Sequence, residues 1–234
     1  MSDEHRATAR EIAHKHLDAG DPLGWFEDLY SQAGEDTSII PWADLTPNPN
    51  LIDWLDQNGT ACSGLAVKIG SGLGDDAEEL ARRGFDTTAF DISESAVACS
   101  RVRFPDTSVS YRHADLFSAP SEWHGRFDFV MESYTLQVLP PNLRKEAIRC
   151  IASFVASGGT LLVIARGREP SESEGKMPWP LTKEELALFQ SHGLKQISFD
   201  DYVDNEDPPV RRFRVTYVRK EQGCPTTESN ATSG

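Results

Sequence analysis

The 234-residue sequence has little that would suit it to a membrane, a metal ion or a nucleic acid. No stretch approaches about 18 consecutive apolar residues, the length that a membrane-spanning helix requires. The four cysteines, Cys62, Cys99, Cys150 and Cys224, are far apart, and no pair has the spacing of a zinc or redox motif. Basic residues number 23 against 37 acidic ones, and the net charge of −14 repels phosphate backbones. We therefore expect no membrane span, no metal site and no nucleic-acid partner.

The first residues of the chain are polar and charged, and they continue as a helical pattern over residues 3–19. This pattern lacks the apolar segment of a secretory signal. A chain of 234 residues can bury one full core without a second domain. We therefore expect an acidic, monomeric, cytoplasmic protein built around one main domain.

From Leu65 onward, short apolar segments alternate with amphipathic helical segments. The apolar segments predict strands at residues 65–69, 87–90, 109–112, 127–131, 160–164, 196–199 and 213–218. Repeated strand–helix units are typical of an α/β fold. We expect a doubly wound, mostly parallel seven-stranded sheet with helices on both faces.

The segments that flank this pattern have a different character. Residues 1–58 contain a polar helix and aromatic-rich turns and predict an N-terminal helical cover, while residues 59–220 form the main domain. Residues 221–234 are polar and predict a disordered tail. The aromatic turns around Trp25 and Trp42 either pack on the sheet or close over a ligand as a lid, and the pattern alone favours packing.

A glycine loop, Gly70–Gly74, follows the first predicted strand directly and opens a helix. Glycine permits a tight turn and lets a ligand lie against bare backbone. Asp91 ends the second predicted strand, where a carboxylate can accept hydrogen bonds from two ribose hydroxyls. Asp115 follows the third, close to where an adenine ring would lie. Together these features favour an adenosine-type ligand.

The helix after the loop begins with Asp75 and Asp76, two carboxylates that satisfy the helix dipole and repel a phosphate. The glycine spacing also differs from the dinucleotide pattern, which would place a glycine at position 75. We therefore favour S-adenosylmethionine, which carries a sulfonium and no phosphate. A nicotinamide-dependent oxidoreductase is the weaker alternative.

Over about residues 60–220 the chain resembles the class I S-adenosylmethionine-dependent methyltransferases, whose fold is Rossmann-like, and within them the thiopurine methyltransferase superfamily. The motifs that carry the resemblance are residues 69–74, 90–93, 132–144, 158–162 and 175–180. The resemblance implies S-adenosylmethionine as cofactor, and an N-terminal cover that closes over cofactor and substrate. The cofactor contacts that it implies are Trp25, Gly70, Ser71, Gly72, Asp91, Ile92, Ala114, Asp115, Leu116 and Glu132.

Two positions depart from the family pattern. Lys68 stands where class I enzymes often carry an acid that helps to hold the amino group of the cofactor. Ser133 stands where the thiopurine family carries an arginine that contacts the methionine end of the cofactor. Lys68 either takes the place of that arginine or extends to the edge of the sheet as a solvated side chain.

The main task of a protein in methyl transfer from a sulfonium is to align donor and acceptor in a dry pocket. No histidine stands in a catalytic motif, which favours a thiol or another soft small-molecule acceptor. The alternatives are O- or N-methylation and a non-catalytic S-adenosylmethionine-binding protein. Pocket candidates are Trp42, Tyr134, Arg166 and Trp179, each of which has packing or surface charge as its alternative role. We also expect residues 167–180 and the N-terminal cover to form a two-sided lid.

Overall fold

The computed structural model describes residues 3–34, 36–58 and 63–221. The predicted tail lies outside the described residues from residue 222 onward, as do Cys62 and Cys224. Within the described ranges, no helix combines the length and the apolar character needed to cross a bilayer. The same ranges contain no group of three His, Cys, Asp or Glu side chains that could hold a metal ion.

Seven strands form one sheet with helices on both faces. The strands are β1 Leu65–Ile69, β2 Asp86–Asp91, β3 Ser110–His113, β4 Phe127–Ser133, β5 Val155–Arg166, β6 Leu194–Val203 and β7 Arg211–Arg219. The helices are α1 Asp3–Asp18, α2 Gly24–Ala33, α3 Pro49–Asn58, α4 Asp75–Arg82, α5 Glu94–Arg103, α6 Pro141–Phe154 and α7 Lys183–Ser191. The strand order is β3-β2-β1-β4-β5-β7-β6, and β7 runs antiparallel to β5 and β6, whereas the other pairs are parallel. The predicted doubly wound, mostly parallel seven-stranded fold is confirmed.

The apolar residues of the central strands divide between two cores because alternate side chains point to opposite faces of a sheet. Val67 of β1 belongs to the core on one face, together with Ile151 of α6. Ala66 belongs to the core on the other face, together with Leu51 of α3 and Leu80 of α4. Burial on both faces explains why these strands are almost continuously apolar in the sequence.

The beginning of β5 differs from the sequence prediction, which placed this strand at residues 160–164, directly after Gly158 and Gly159. In the structure, Val155 already pairs with Phe127, and the strand then bulges before Thr160 pairs with Phe129. Gly158 has a φ of +77°, and a Cβ on Gly159 would lie 2.8 Å from the carbonyl oxygen of Phe127. The two glycines therefore form an irregular section inside β5 rather than a turn that precedes it.

The described part of the N-terminal segment, residues 3–34 and 36–58 (the N-terminal cover), is attached to α5 and to the sheet by specific polar contacts. Glu27 of α2 accepts hydrogen bonds from Ser93 Oγ at 2.6 Å and from Ser95 Oγ at 2.6 Å, at the beginning of α5. Trp54 of α3 donates through its indole Nε1 to Thr216 Oγ1 of β7 at 2.9 Å. These contacts hold the cover over the carboxyl ends of the strands on one side and against β7 on the other.

Candidate functional site

A cavity of about 910 Å³ lies at the carboxyl edge of the parallel strands, between this edge and the N-terminal cover. Its volume falls within the range of about 300–1,000 Å³ that is usual for small-molecule sites. The strand order reverses between β1 and β4, which are neighbours in the sheet. The cavity therefore occupies the position at which doubly wound sheets bind ligands.

The structure brings most of the predicted site residues to this cavity. Those that line it are Trp42, Gly70, Ser71, Gly72, Asp91, Ile92, Ala114, Asp115, Leu116, Tyr134 and Arg166. The predicted residues Trp25, Glu132 and Trp179 are not among its lining residues.

The glycine loop forms one wall with its backbone exposed to the cavity. Gly70, Gly72 and Gly74 have φ angles of +58°, +54° and +96°, a region that favours glycine. A Cβ on Gly72 would lie 3.1 Å from the hydroxyl of Tyr30, which also lines the cavity. The Ser71 hydroxyl is buried and has no hydrogen-bond partner among the described residues. The loop thus provides a bare surface and an unsatisfied polar group, and both fit a bound ligand.

Asp91 connects the glycine loop to the beginning of α5. Its Oδ2 accepts a hydrogen bond from Gly72 N at 2.8 Å, and its Oδ1 accepts one from Ser93 N at 3.0 Å. Burial raises the pKa of this carboxyl. Each oxygen of a carboxylate has two acceptor positions, so each retains one after these bonds.

Asp115 has a structural role at the same edge. Its Oδ1 accepts a hydrogen bond from Phe117 N at 2.9 Å and thereby caps the short 3₁₀ turn Leu116–Ser118. The backbone N–H of Ala114 donates to Asp91 O at 3.0 Å and holds this segment beside β2. Side chains from the ends of β2 and β3 therefore face one part of the cavity.

Lys68 extends toward the carboxyl edge but remains buried, with 2% of its surface exposed. Its ammonium donates to Ile69 O at 2.8 Å and to Gly70 O at 3.2 Å, and lies 3.9 Å from Asp76 Oδ2. Burial lowers the pKa of Lys68, while Asp76 opposes that shift. The alternative of a solvated lysine is therefore wrong.

Asp76, on the first turn of α4, brings a carboxylate to within 3.9 Å of the Lys68 ammonium. Its Oδ1 accepts a hydrogen bond from Asn48 N at 2.8 Å, and its Oδ2 accepts one from Ser133 Oγ at 3.1 Å. Asp76, Lys68 and Ser133 all line the cavity. The two departures from the family pattern are thus in contact through one helix carboxylate.

Glu132 is fully buried, and its carboxyl binds the backbone that follows β4. Its Oε1 accepts hydrogen bonds from Thr135 N at 2.8 Å and Leu136 N at 3.0 Å, whereas its Oε2 has no partner among the described residues. Burial raises the pKa of Glu132 to about 7, and the bond from Leu136 and the charge of Lys68 limit the rise. The residue supports the wall of the cavity from behind.

The second part of the cavity combines aromatic rings with charged groups. Trp42 donates through its indole Nε1 to Tyr30 Oη at 2.8 Å. Tyr134 has a φ of +65°, an uncommon conformation for a residue with a side chain. The Arg212 guanidinium lies over the Tyr134 ring, 4.9 Å from its centroid. Such strained, packed residues are frequent at ligand sites.

Trp25 and Trp179 lie behind the wall of the cavity. Trp25 is 1% exposed and stacks on Phe26 with ring centroids 3.9 Å apart. Trp179 donates its backbone N–H to Gln137 O at 2.7 Å, and the neighbouring Met177 and Pro178 line the cavity instead. The two predicted lid segments touch each other, since Arg10 of α1 donates through Nε to Met177 O at 2.8 Å.

Several lining residues were not expected from the sequence. They include Tyr30, Asn48, Asp76, Tyr202, Glu206 and Arg212. Asp76 begins the helix that follows the glycine loop, and that position in the sequence indicates proximity to the cavity. Tyr202 and Arg212 lie at the end of β6 and the beginning of β7, which meet this edge because β7 runs antiparallel to β5.

Comparisons with known proteins agree with this architecture. Residues 66–159 match the family model described as a methyltransferase domain. The ubiquinone biosynthesis O-methyltransferase of Aromatoleum aromaticum is 29% identical over 114 residues, which are 48% of each chain. The corresponding enzyme of Pseudomonas aeruginosa strain UCBPP-PA14 is 27% identical over 125 residues, or 53% of each chain. The chain thus spans about half the length of the curated relatives it matches.

A solved structure with a similar fold is the 1,6-didemethyltoxoflavin-N1-methyltransferase of Burkholderia thailandensis, with a TM-score of 0.65. The two sequences are 14% identical, and the match covers 89% of this chain and 91% of that enzyme. Both the matched model and the fold are those of methyltransferases. The predicted similarity to methyltransferases is therefore confirmed for the fold and for residues 66–159, which match the methyltransferase-domain model. S-adenosylmethionine is the methyl donor of the family that this model describes.

Proposed function

We propose that this protein transfers the methyl group of S-adenosylmethionine to oxygen or nitrogen of a small molecule. The observation that carries the proposal is the continuity of the cavity. The glycine loop, Asp91 and Asp115 line one part, and Tyr134 and Arg166 line the other. A donor and an acceptor bound in these two parts would share one space, as alignment of the reacting atoms requires.

The cofactor, when bound, supplies an activated methyl group on a positive sulfur. The protein has candidate binding groups for both the ribose end and the methionine end of the cofactor. Asp91 has free acceptor positions for the ribose hydroxyls, and the bare backbone at Gly72 leaves room beside them. Asp76 provides a carboxylate suited to an ammonium, and Lys68 provides a cation suited to a carboxylate. These assignments also rest on the resemblance to class I enzymes.

The choice of acceptor atom follows from the relatives and from the charged groups of the cavity. The matched curated relatives are named as O-methyltransferases, and one structural neighbour as an N-methyltransferase. An alcohol or phenol gives up a proton on methylation, and Asp44 lines the cavity as a group that can accept it. Burial and the charge of Glu206 raise the pKa of Asp44. These observations favour oxygen or nitrogen over the thiol that the sequence favoured.

The test combines binding with turnover. Isothermal titration calorimetry should detect binding of both S-adenosylmethionine and S-adenosylhomocysteine, and a panel of phenols, amines and thiols should yield a methylated phenol or amine. A protein that binds neither compound would contradict the proposal, as would one that methylates only thiols. The thiopurine subfamily, a monomeric state and a cytoplasmic location remain predictions.

A further inference from the structure

Two arginines face each other across the antiparallel pair β5 and β7. Arg166 is the direct register partner of Arg212, and both line the cavity. Like charges directly opposite each other on neighbouring strands are destabilising. The pair therefore needs compensating negative charge.

Arg212 has this compensation within the protein. It is 3% exposed, and its Nε donates to Asp204 Oδ2 at 2.6 Å. Its Nη2 donates to Glu206 Oε1, and its guanidinium covers the ring of Tyr134. Two carboxylates and one aromatic face thus satisfy this cation.

Arg166 lacks a comparable partner. Among the described residues, its backbone N–H donates to Gln137 Oε1 at 2.7 Å, but its guanidinium makes no hydrogen bond and no ion pair. The ionisable groups that act on it are Arg212, Glu206, Arg6 and Tyr134, which all line the cavity. Glu206, the carboxylate among them, already binds Arg212.

An unpaired guanidinium in a partly closed cavity is costly, because arginine keeps its charge in proteins. Burial and the charge of Arg212 lower the pKa of Arg166, which agrees with an uncompensated cation. A guanidinium binds a carboxylate with two parallel hydrogen bonds, so a carboxylate would satisfy it well. The rings of Tyr134 and Trp42, which line the same cavity, suit an aromatic body.

We propose that the methyl acceptor is an aromatic carboxylate whose acid group pairs with the guanidinium of Arg166. This inference rests on the proposed function and names the substrate class of the same cavity. The ring would lie among the aromatic side chains, and the hydroxyl or amine that receives the methyl group would point toward the part lined by Asp91 and the glycine loop.

The experiment compares acids with amides of the same shape. Calorimetry in the presence of S-adenosylhomocysteine measures the affinity of 3,4-dihydroxybenzoate against 3,4-dihydroxybenzamide, together with the 2-, 3- and 4-hydroxybenzoates, the aminobenzoates and their amides. The variants are Arg166→Gln, which removes the charge, and Arg166→Lys, which keeps it without the two-pronged geometry. The control is Arg149→Gln, which removes an exposed arginine of α6 whose partners among the described residues are Glu146 and Cys150.

For wild type and Arg149→Gln we expect at least one acid to bind about tenfold or more tightly than its amide. This preference should disappear in Arg166→Gln and be reduced in Arg166→Lys. Without ligand, Arg166→Gln should unfold at the same temperature as wild type or higher, since it removes an unpaired charge. The inference is wrong if no acid outperforms its amide, or if Arg166→Gln keeps the preference. Binding of S-adenosylhomocysteine alone reports separately on the proposed function.

Discussion

Replacing Glu132 by glutamine tests how the protein holds a buried acid beside the glycine loop. The carboxyl is 0% exposed, and only one of its two oxygens has partners among the described residues. Burial raises its pKa to about 7 from an ordinary value of 4.5. The folded protein therefore prefers the neutral acid over a range of pH in which the unfolded chain is already ionised.

The sign and size of the change in the free energy of unfolding follow from this difference between the folded and unfolded pKa of Glu132. The stabilisation from the raised pKa is fully present below about pH 4.5 and is lost as pH rises through about 7. Each pKa unit corresponds to about 1.4 kcal/mol, so the free energy of unfolding should fall by about 3 kcal/mol across this window. Glu132→Gln stays neutral at every pH and should not show this fall. The stability of wild type relative to the variant should therefore decrease from pH 5 to pH 8.

Urea denaturation of both proteins at pH 5, 6, 7 and 8 measures this difference directly. The control is Glu146→Gln on α6, where the ion pair of Glu146 with Arg149 at 2.6 Å lowers the pKa of the carboxyl. Its ionisation lies below the tested range, so its stability relative to wild type should be constant. A constant difference for Glu132→Gln as well would show that Glu132 is ionised throughout, with Lys68 as its counter-charge, and would refute the reasoning.

Three further predictions concern the ligand. Asp91→Asn should weaken S-adenosylhomocysteine binding by about 1.5–3 kcal/mol in calorimetry, because it removes a charged acceptor, and an unchanged Kd would place the ligand elsewhere. Gly72→Val should abolish binding with an unchanged circular dichroism spectrum, whereas Gly125→Val, which has a similar φ of +63° and open space at Cβ, should bind normally. If both variants bind S-adenosylhomocysteine, the glycine loop is only a turn and not a ligand-binding surface. S-Adenosylmethionine should slow proteolysis at residues 172–176 and quench tryptophan fluorescence, and unchanged cleavage would contradict the lid.

The strand positions were predictable because burial on both faces leaves a continuous apolar pattern that ends in glycine or an acid. β1 was predicted at residues 65–69 and is Leu65–Ile69. The beginning of β5 was not predictable, because two adjacent glycines are equally typical of a turn and of a β-bulge. Only the pairing of Val155 with Phe127 distinguishes the two, and that contact depends on tertiary structure.

The candidate site was predictable in the half built from parallel strands. There, the residues after each strand meet at one edge, so Gly70, Asp91 and Asp115 could be placed together from sequence order alone. The other half uses the beginning of β7, where Arg212 precedes the apolar part of its strand. The antiparallel direction of β7 brings that residue to the same edge, and the sequence pattern carries no signal of direction.

The charges at the glycine loop show why a residue-by-residue comparison with a family pattern is not sufficient. Lys68 looks like a loss of function when it is compared with the acid expected on the strand. In the folded chain its ammonium lies 3.9 Å from Asp76, on a helix that the same loop begins. The cavity wall beside the glycine loop therefore carries one cation and one anion, the two charges that bind the carboxylate and the ammonium of a zwitterionic amino-acid group. A carboxylate on the first turn of α4 also suits the positive end of that helix dipole, which a strand acid would not do. Lys68 and Asp76 together present both charges to the cavity, which suits the methionine end of the proposed donor.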